Sequence, residues 1–261
     1  MKTETPMDRL LDIMRRLRDP AAGCPWDLAQ SYESLAPFTL EEASEVVDAL
    51  ERGDLAALRD ELGDLLFQVV FLSQLAAEEG RFDFNAVAAG IGDKLLRRHP
   101  HVFEDPAAAA DPSRSWDAIK AGERRRRGES GVLANVPRSL PALARAAKLG
   151  RRAARVGFDW PDASGARAKV LEEIAELDAA AARGDGAEMA EELGDLLLAV
   201  SSWARHLALD PETSLRRANA KFESRFAAME SLAVERDLDP NRFAAADWDA
   251  LWNEAKSRVQ S

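Results

Sequence analysis

Two sets of four carboxylates repeat in type and spacing along the chain: Glu42, Glu45, Glu61 and Asp64, then Glu173, Glu176, Glu192 and Asp195. They sit within longer echoes. Glu41-Glu42-Ala43-Ser44-Glu45, Arg52-Gly53-Asp54 and Glu61-Leu62-Gly63-Asp64-Leu65-Leu66 recur as Glu172-Glu173-Ile174-Ala175-Glu176, Arg183-Gly184-Asp185 and Glu192-Leu193-Gly194-Asp195-Leu196-Leu197, each displaced by 131 positions. Self-similarity of this kind marks a duplicated structural unit.

The acids are symmetric about a glycine. Glu45 and Glu61 stand eight residues to either side of Gly53, and Glu42 and Asp64 eleven; Glu176, Glu192, Glu173 and Asp195 repeat this about Gly184. In an antiparallel helical hairpin turning at Arg-Gly-Asp, equal counts mean equal heights, roughly 12 and 16 Å from the turn at about 1.5 Å per residue, and each i, i+3 pair shares one face. Facing acids in an apolar bundle repel and are costly to desolvate, so such an arrangement calls for a cation. All-oxygen ligation selects Mg²⁺, with Mn²⁺ as the alternative. A carboxylate-bridged iron bundle needs Glu-x-x-His, but the residues three before His99, His101 and His206 are Leu96, Arg98 and Trp203. The bland alternative is a solvated helix face on which Thr39 and Glu42 form a capping box. In the second copy the matching residue is Val170, so no capping box explains Glu173.

Such ions leave positions for phosphate oxygens, and a polyphosphate carries more negative charge than two of them cancel, so a site for one should add cations. Lys221 and Arg225 are one helical turn apart and echo Lys94 and Arg98, while Trp252 and Lys256 echo Trp116 and Lys120. Trp252 offers a flat apolar surface for a base and Lys256 a further cation.

The elements that must position these groups are helices. Ala, Leu, Glu and Arg far outnumber Val, Ile, Thr and Tyr, which favours helix almost everywhere. Apolar residues flank the acids, Leu62, Leu65, Leu66, Val69 and Val70 in one copy and Leu193, Leu196, Leu197 and Val200 in the other, and predict that both helices bury a face. At 261 residues the chain accommodates two domains, an N-terminal one over residues 1–127 and a C-terminal one over 128–261. Residues 105–112 and 128–141 read as connecting segments, and the run Arg124 to Arg127 as a solvated face.

Composition narrows the function. The 35 Lys and Arg against 46 Asp and Glu give a formal charge of -11, which disfavours nucleic acid as a partner. Cys24 is the sole cysteine, which excludes an intramolecular disulfide and a zinc site of cysteine type. Neither a leader nor a membrane span is expected, and the cytoplasm is the expected compartment.

With these residues in view the chain resembles the two-domain MazG nucleoside triphosphate pyrophosphohydrolases. The resemblance rests on Gly23-Cys24-Pro25-Trp26-Asp27, the duplicated acidic motifs, Asp93-Lys94-Leu95, His99-Pro100-His101-Val102-Phe103 and Val156-Gly157-Phe158-Asp159-Trp160. It implies an all-α fold whose two tandem helical domains build a four-helix-bundle core on homodimerisation, and cleavage between the α and β phosphates with broad base tolerance. It also implies that Glu173, Glu176, Glu192 and Asp195 hold Mg²⁺, that Lys169, Lys221, Arg225 and Trp252 contact nucleotide, and that Glu172 is the candidate proton acceptor.

Two departures matter. Position 188 is Glu188, where some relatives carry a base, and the residue 131 positions before Lys169 is Phe38. The first copy therefore keeps its acids without that cation, and the second domain is expected to be the main catalyst. Two other readings remain open from sequence: a pyrophosphatase narrower in its base, and a non-catalytic helical module sensing a nucleotide or alarmone.

Overall fold

The computed structural model describes residues 4–103, 122, 131–238 and 243–259. Within them the fold is all-α, with no strand. The chain divides into two compact units, Met1–Glu123 and Arg124–Ser261. The expected boundary at 127/128, the run Arg124 to Arg127, and Trp116 and Lys120 lie outside the described residues.

The first unit comprises α1 (Pro6–Leu17), α2 (Pro25–Leu28), α3 (Tyr32–Arg52), α4 (Leu55–Glu78), α5 (Phe84–Arg98) and α6 (Pro100–Phe103). Its core gathers Met14, Leu35, Val70, Phe71 and Leu75, from α1, α3 and α4. The second unit comprises α7 (Ala142–Ala154), α8 (Ala163–Arg183), α9 (Gly186–His206), α10 (Pro211–Glu235) and α11 (Ala245–Val259). In it α7 packs on α9 and α10, and α10 on α11 around Met229, Leu232, Leu251 and Ala255.

The repeated sequence folds as a repeated hairpin, α3 against α4 and α8 against α9. Both turn at Arg-Gly-Asp for the same reasons. Gly53 and Gly184 take left-handed backbone at φ 68° and 69°, which favours glycine. The amides of Asp54 and Asp185 donate back to the carbonyls of Ala49 and Ala180 at 3.1 and 3.3 Å, closing each first helix with a Schellman turn. The same aspartates start the second helices: Asp54 accepts from Ala56 and Ala57, and Asp185 from Ala187 and Glu188, at 3.0–3.1 Å.

Two details differ from the sequence expectation. Thr39 does not cap a helix, because α3 begins at Tyr32 under a capping box of Ser31 and Ser34. Thr39 lies inside the helix and its hydroxyl donates to the Leu35 carbonyl at 3.0 Å. Of the apolar residues expected to be covered, Val70 is buried but Leu62, Leu193 and Leu197 are each 48–49% exposed. One chain alone does not cover that face of either hairpin.

Candidate metal and nucleotide site

Each hairpin delivers three carboxylates to one place. Glu42, Glu45 and Glu61 each offer an oxygen, all within 4.8 Å of one another, and Glu173, Glu176 and Glu192 do the same. The matched register about each glycine produces this convergence. The fourth acids, Asp64 and Asp195, stand outside these trios, one helical turn from Glu61 and Glu192, and act on them through their charge.

The electrostatics are those of acids short of a counterion. Desolvation first, then the charges of Asp64 and Glu45, push the Glu42 carboxyl above its ordinary range. Glu61 is raised by desolvation and then by Glu45 and Asp64. Glu192 is raised by desolvation and then by Glu176, Glu173 and Asp195, and Glu176 by desolvation and its hydrogen bond to Glu173. A hard divalent cation would reverse each penalty, and an all-carboxylate donor set fits Mg²⁺ or Mn²⁺.

The two trios differ in one neighbour. Lys169 Nζ lies 2.6 Å from Glu172 Oε1 and 2.6 Å from Glu173 Oε1, and these two bonds raise its pKa. Glu173 is buried, so this ion pair is the most sheltered part of the second site. At the matching place in α3 the half-exposed Phe38 meets the Trp26 ring edge-on, centroids 6.1 Å apart.

The other sequence-flagged cations gather elsewhere in the second unit. Arg225 of α10 and Lys256 of α11 both lie 5.9 Å from the centre of the Trp252 ring, which also touches Phe222 at 5.3 Å. Trp252 is half-buried against the α10–α11 core, and Lys221 lies exposed one turn before Arg225. Lys94 and Arg98 end α5 in the first unit.

Sequence reasoning missed a cleft of about 460 Å³ beside the second trio, lined by Lys169, Glu173 and Asp195 and by apolar residues from α7 and α9. It also missed the buttress there. Arg205 Nη1 donates to Asp159 Oδ2 at 2.8 Å, Nη2 donates to Oδ1, and His206 Nε2 stands 2.9 Å from Oδ1. Arg205 chiefly, with His206, lowers the Asp159 carboxyl to about 2. Val156 to Trp160 had carried resemblance without a role, and a partner 46 residues away leaves no local signal.

This duplicated architecture has known relatives. The chain matches the MazG nucleotide pyrophosphohydrolase domain over residues 30–103 and 164–228, the two stretches that contain the hairpins. The chain belongs to the MazG family. It is 49% identical over 254 residues to a nucleoside triphosphate pyrophosphohydrolase of Escherichia coli (strain K12), covering 96% of this chain and 97% of that one. It is 39% identical over 249 residues to the nucleoside triphosphate pyrophosphohydrolase/pyrophosphatase MazG of Thermotoga maritima, covering 95% of each. The protein YabN of Bacillus subtilis is 40% identical over 247 residues, which span 94% of this chain and 50% of YabN. Both MazG segments contain a complete acidic trio, Glu42, Glu45 and Glu61 in one and Glu173, Glu176 and Glu192 in the other.

Proposed function

We propose that this MazG chain is a nucleoside triphosphate pyrophosphohydrolase that works mainly in its second unit. The observation that carries the reading is the Glu173, Glu176 and Glu192 trio with Lys169 hydrogen-bonded to its buried member. Glu173, Glu176 and Glu192, with Asp195 beside them, are the residues that would hold Mg²⁺, or Mn²⁺ in its place. Bound there, the ion would polarise the phosphates and acidify a water.

The protein groups do the rest. Glu172 is exposed at the edge of the trio and takes the proton of the attacking water. Lys169 is held at the same edge and neutralises phosphate charge, and Lys221, Arg225 and Lys256 with Trp252 supply the cationic surface for the remaining phosphates. The water oxygen bonds to the α-phosphorus as the bond to the bridging oxygen breaks, so that triphosphate and water give monophosphate and pyrophosphate.

The exposed leucines on the hairpins support a homodimer that closes the four-helix bundle: Leu193, Leu197 and their first-unit counterpart Leu62 stand beside the acids and remain half open. No helix among the described residues is long and apolar enough to cross a membrane. The cytoplasm is the compartment this reading assigns, in keeping with the free thiol of Cys24. The first unit, with its trio but Phe38 in place of the lysine, suits a weaker, regulatory or structural role.

Product analysis tests the reaction. Mixed triphosphates incubated with the protein and Mg²⁺ should yield monophosphate and pyrophosphate. Diphosphate with orthophosphate would refute the α–β cleavage, and unchanged triphosphate would favour a nucleotide-sensing module.

A further inference from the structure

The first trio differs from the second in what lies beside it. Next to the second trio a cleft of about 460 Å³ opens, lined from α9 by Asp195, Leu198, Ala199, Ser202 and Arg205. The repeat sets Asp64, Phe67, Gln68, Phe71 and Gln74 at the same positions of α4, each 131 residues earlier. Where α9 carries the small Ala199 and Ser202, α4 carries Gln68 and Phe71, both buried. Phe71 meets Phe67 edge-on, centroids 5.6 Å apart, and belongs to the core of the first unit. The first unit thus packs side chains at the positions that border a cleft in the second.

Gln68 is the polar residue of that packing. It is 5% exposed, and its Oε1 has no hydrogen-bond partner among the described residues. Such an acceptor is costly unless a donor reaches it. The register of α4 sets its direction: Gln68 follows Asp64 by four residues and Glu61 by seven, so the three share one face. Side chains on a helix lean toward its N-terminus, which carries Gln68 toward Asp64 and the trio. Ala199, its counterpart, borders the second cleft together with Glu173 and Asp195. The acids on that side are acceptors too, and supply Gln68 with no donor. The first trio is also short of positive charge. Lys169 is bonded to Glu173 in the second unit, and Phe38 stands at its place in the first. Arg52, whose charge bears on Glu61, is bonded to Asp48 of its own helix.

We infer that the first trio is a resident-cation site: Glu42, Glu45 and Glu61 hold a hydrated divalent ion in the absence of nucleotide, and Gln68 Oε1 accepts a hydrogen bond from that ion's water. One ligand answers both needs, since the ion balances three carboxylates whose oxygens lie within 4.8 Å and its water brings the missing donor. Mg²⁺ suits the site because it keeps several of its waters when carboxylates bind it. The ion neutralises acids that face one another between α3 and α4, a structural task that needs no substrate. The second trio, whose buried glutamate already has Lys169, binds an ion more weakly on its own.

Mn²⁺ serves as the probe, because the free ion gives an electron paramagnetic resonance signal that binding removes. The full chain is titrated with it in the absence of nucleotide. The unaltered chain should take up a high-affinity ion that Glu45→Gln abolishes and Glu176→Gln leaves in place. Gln68→Leu should weaken that binding about tenfold or more, the usual cost of losing a hydrogen bond in the outer shell of a metal. Gln68→Met, unbranched as glutamine is, covers the case in which the leucine variant does not fold. Loss of the high-affinity ion in Glu176→Gln and not in Glu45→Gln would overturn the proposal, as would unchanged affinity in a folded Gln68 variant or no uptake at all without nucleotide. No triphosphate enters the experiment, so its outcome is separate from the reaction assigned to the second unit.

Discussion

The two hairpins are near copies in backbone and unlike in chemistry. Both turn on a left-handed glycine, both start their second helix on a capping aspartate, and both bring three glutamates within 4.8 Å. Yet α8 sets Lys169 against its buried glutamate where α3 sets Phe38 against Trp26. The link that leads into each hairpin is also tied down with opposite polarity. In the first unit the sheltered Arg18, after α1, donates to Glu78 of α4 at 2.5–3.0 Å; in the second, Asp159, after α7, accepts from Arg205 of α9. Duplication preserved what the fold requires and left the surroundings of the acids free to diverge.

The largest effect expected from this difference is on turnover. Glu176→Ala removes a carboxylate from the second trio and should cost about 10³-fold in kcat, as expected for several kcal/mol of lost charge stabilisation. Glu45→Ala, the same change in the first trio, should cost less than about threefold. Steady-state release of pyrophosphate measures both, and a greater loss from the Glu45 variant would reverse the assignment of units.

Lys169 sharpens the comparison further. Lys169→Met should lower kcat/KM by about 10- to 100-fold, the worth of a charge-assisted contact to phosphate. The reciprocal change, Phe38→Lys in a chain already carrying Glu176→Ala, should raise the residual activity several-fold if the lysine is what the first site lacks. No gain in a folded protein would show that the first unit lacks more than this cation.

These contrasts also show what the sequence could reveal. The hairpins, their turns and the levels of the acids were legible because spacing about Gly53 and Gly184 is local information that the helical rise converts directly into height; that Asp64 and Asp195 stand apart from the other three acids of their sets was not. The start of α3 was not, since Ser31 competes with Thr39 and both are good caps; the hydrogen bond from the Ser34 amide to Ser31 settles it. The exposure of Leu62, Leu193 and Leu197 was not legible either, because periodicity shows that a face is apolar and not which chain covers it. The cleft needed α7, the segment before α8, and α9 placed together, and no spacing rule encodes that. Trp252 was legible as a flat surface, but its pairing with both Arg225 and Lys256 came only with α10 packed on α11.

A smaller effect separates the acids by pH. The folded-state pKa of Glu192 is raised above its ordinary 4.5. The folded protein therefore holds this proton more tightly than the unfolded chain does, and stability falls as pH rises from 4.5 through the raised value. Glu192→Gln cannot ionise and escapes that loss. Without Mg²⁺ it should melt a few degrees above the unaltered chain at pH 7, with the gap closing near pH 4; with saturating Mg²⁺ the order at pH 7 should invert. A gap that is independent of pH would show that the charge at this position is not what strains the trio.

The smallest effect is the one in which the hairpins should agree. Gly53→Ala and Gly184→Ala each force a side chain into left-handed backbone, where nothing else lies within 4 Å of the added carbon. Each should cost about 1–2 kcal/mol by denaturant unfolding, since the penalty is local backbone strain and both turns share one geometry. Their activities should diverge. A strained turn at Gly184 should shift Glu176 and Glu192 relative to each other and lower kcat, whereas on the proposed division of labour the same strain at Gly53 should leave kcat nearly unchanged. Equal stability losses with unequal activity losses would separate the shared scaffold from the chemistry carried by one copy; equal losses in both would mean that the first trio works as hard as the second.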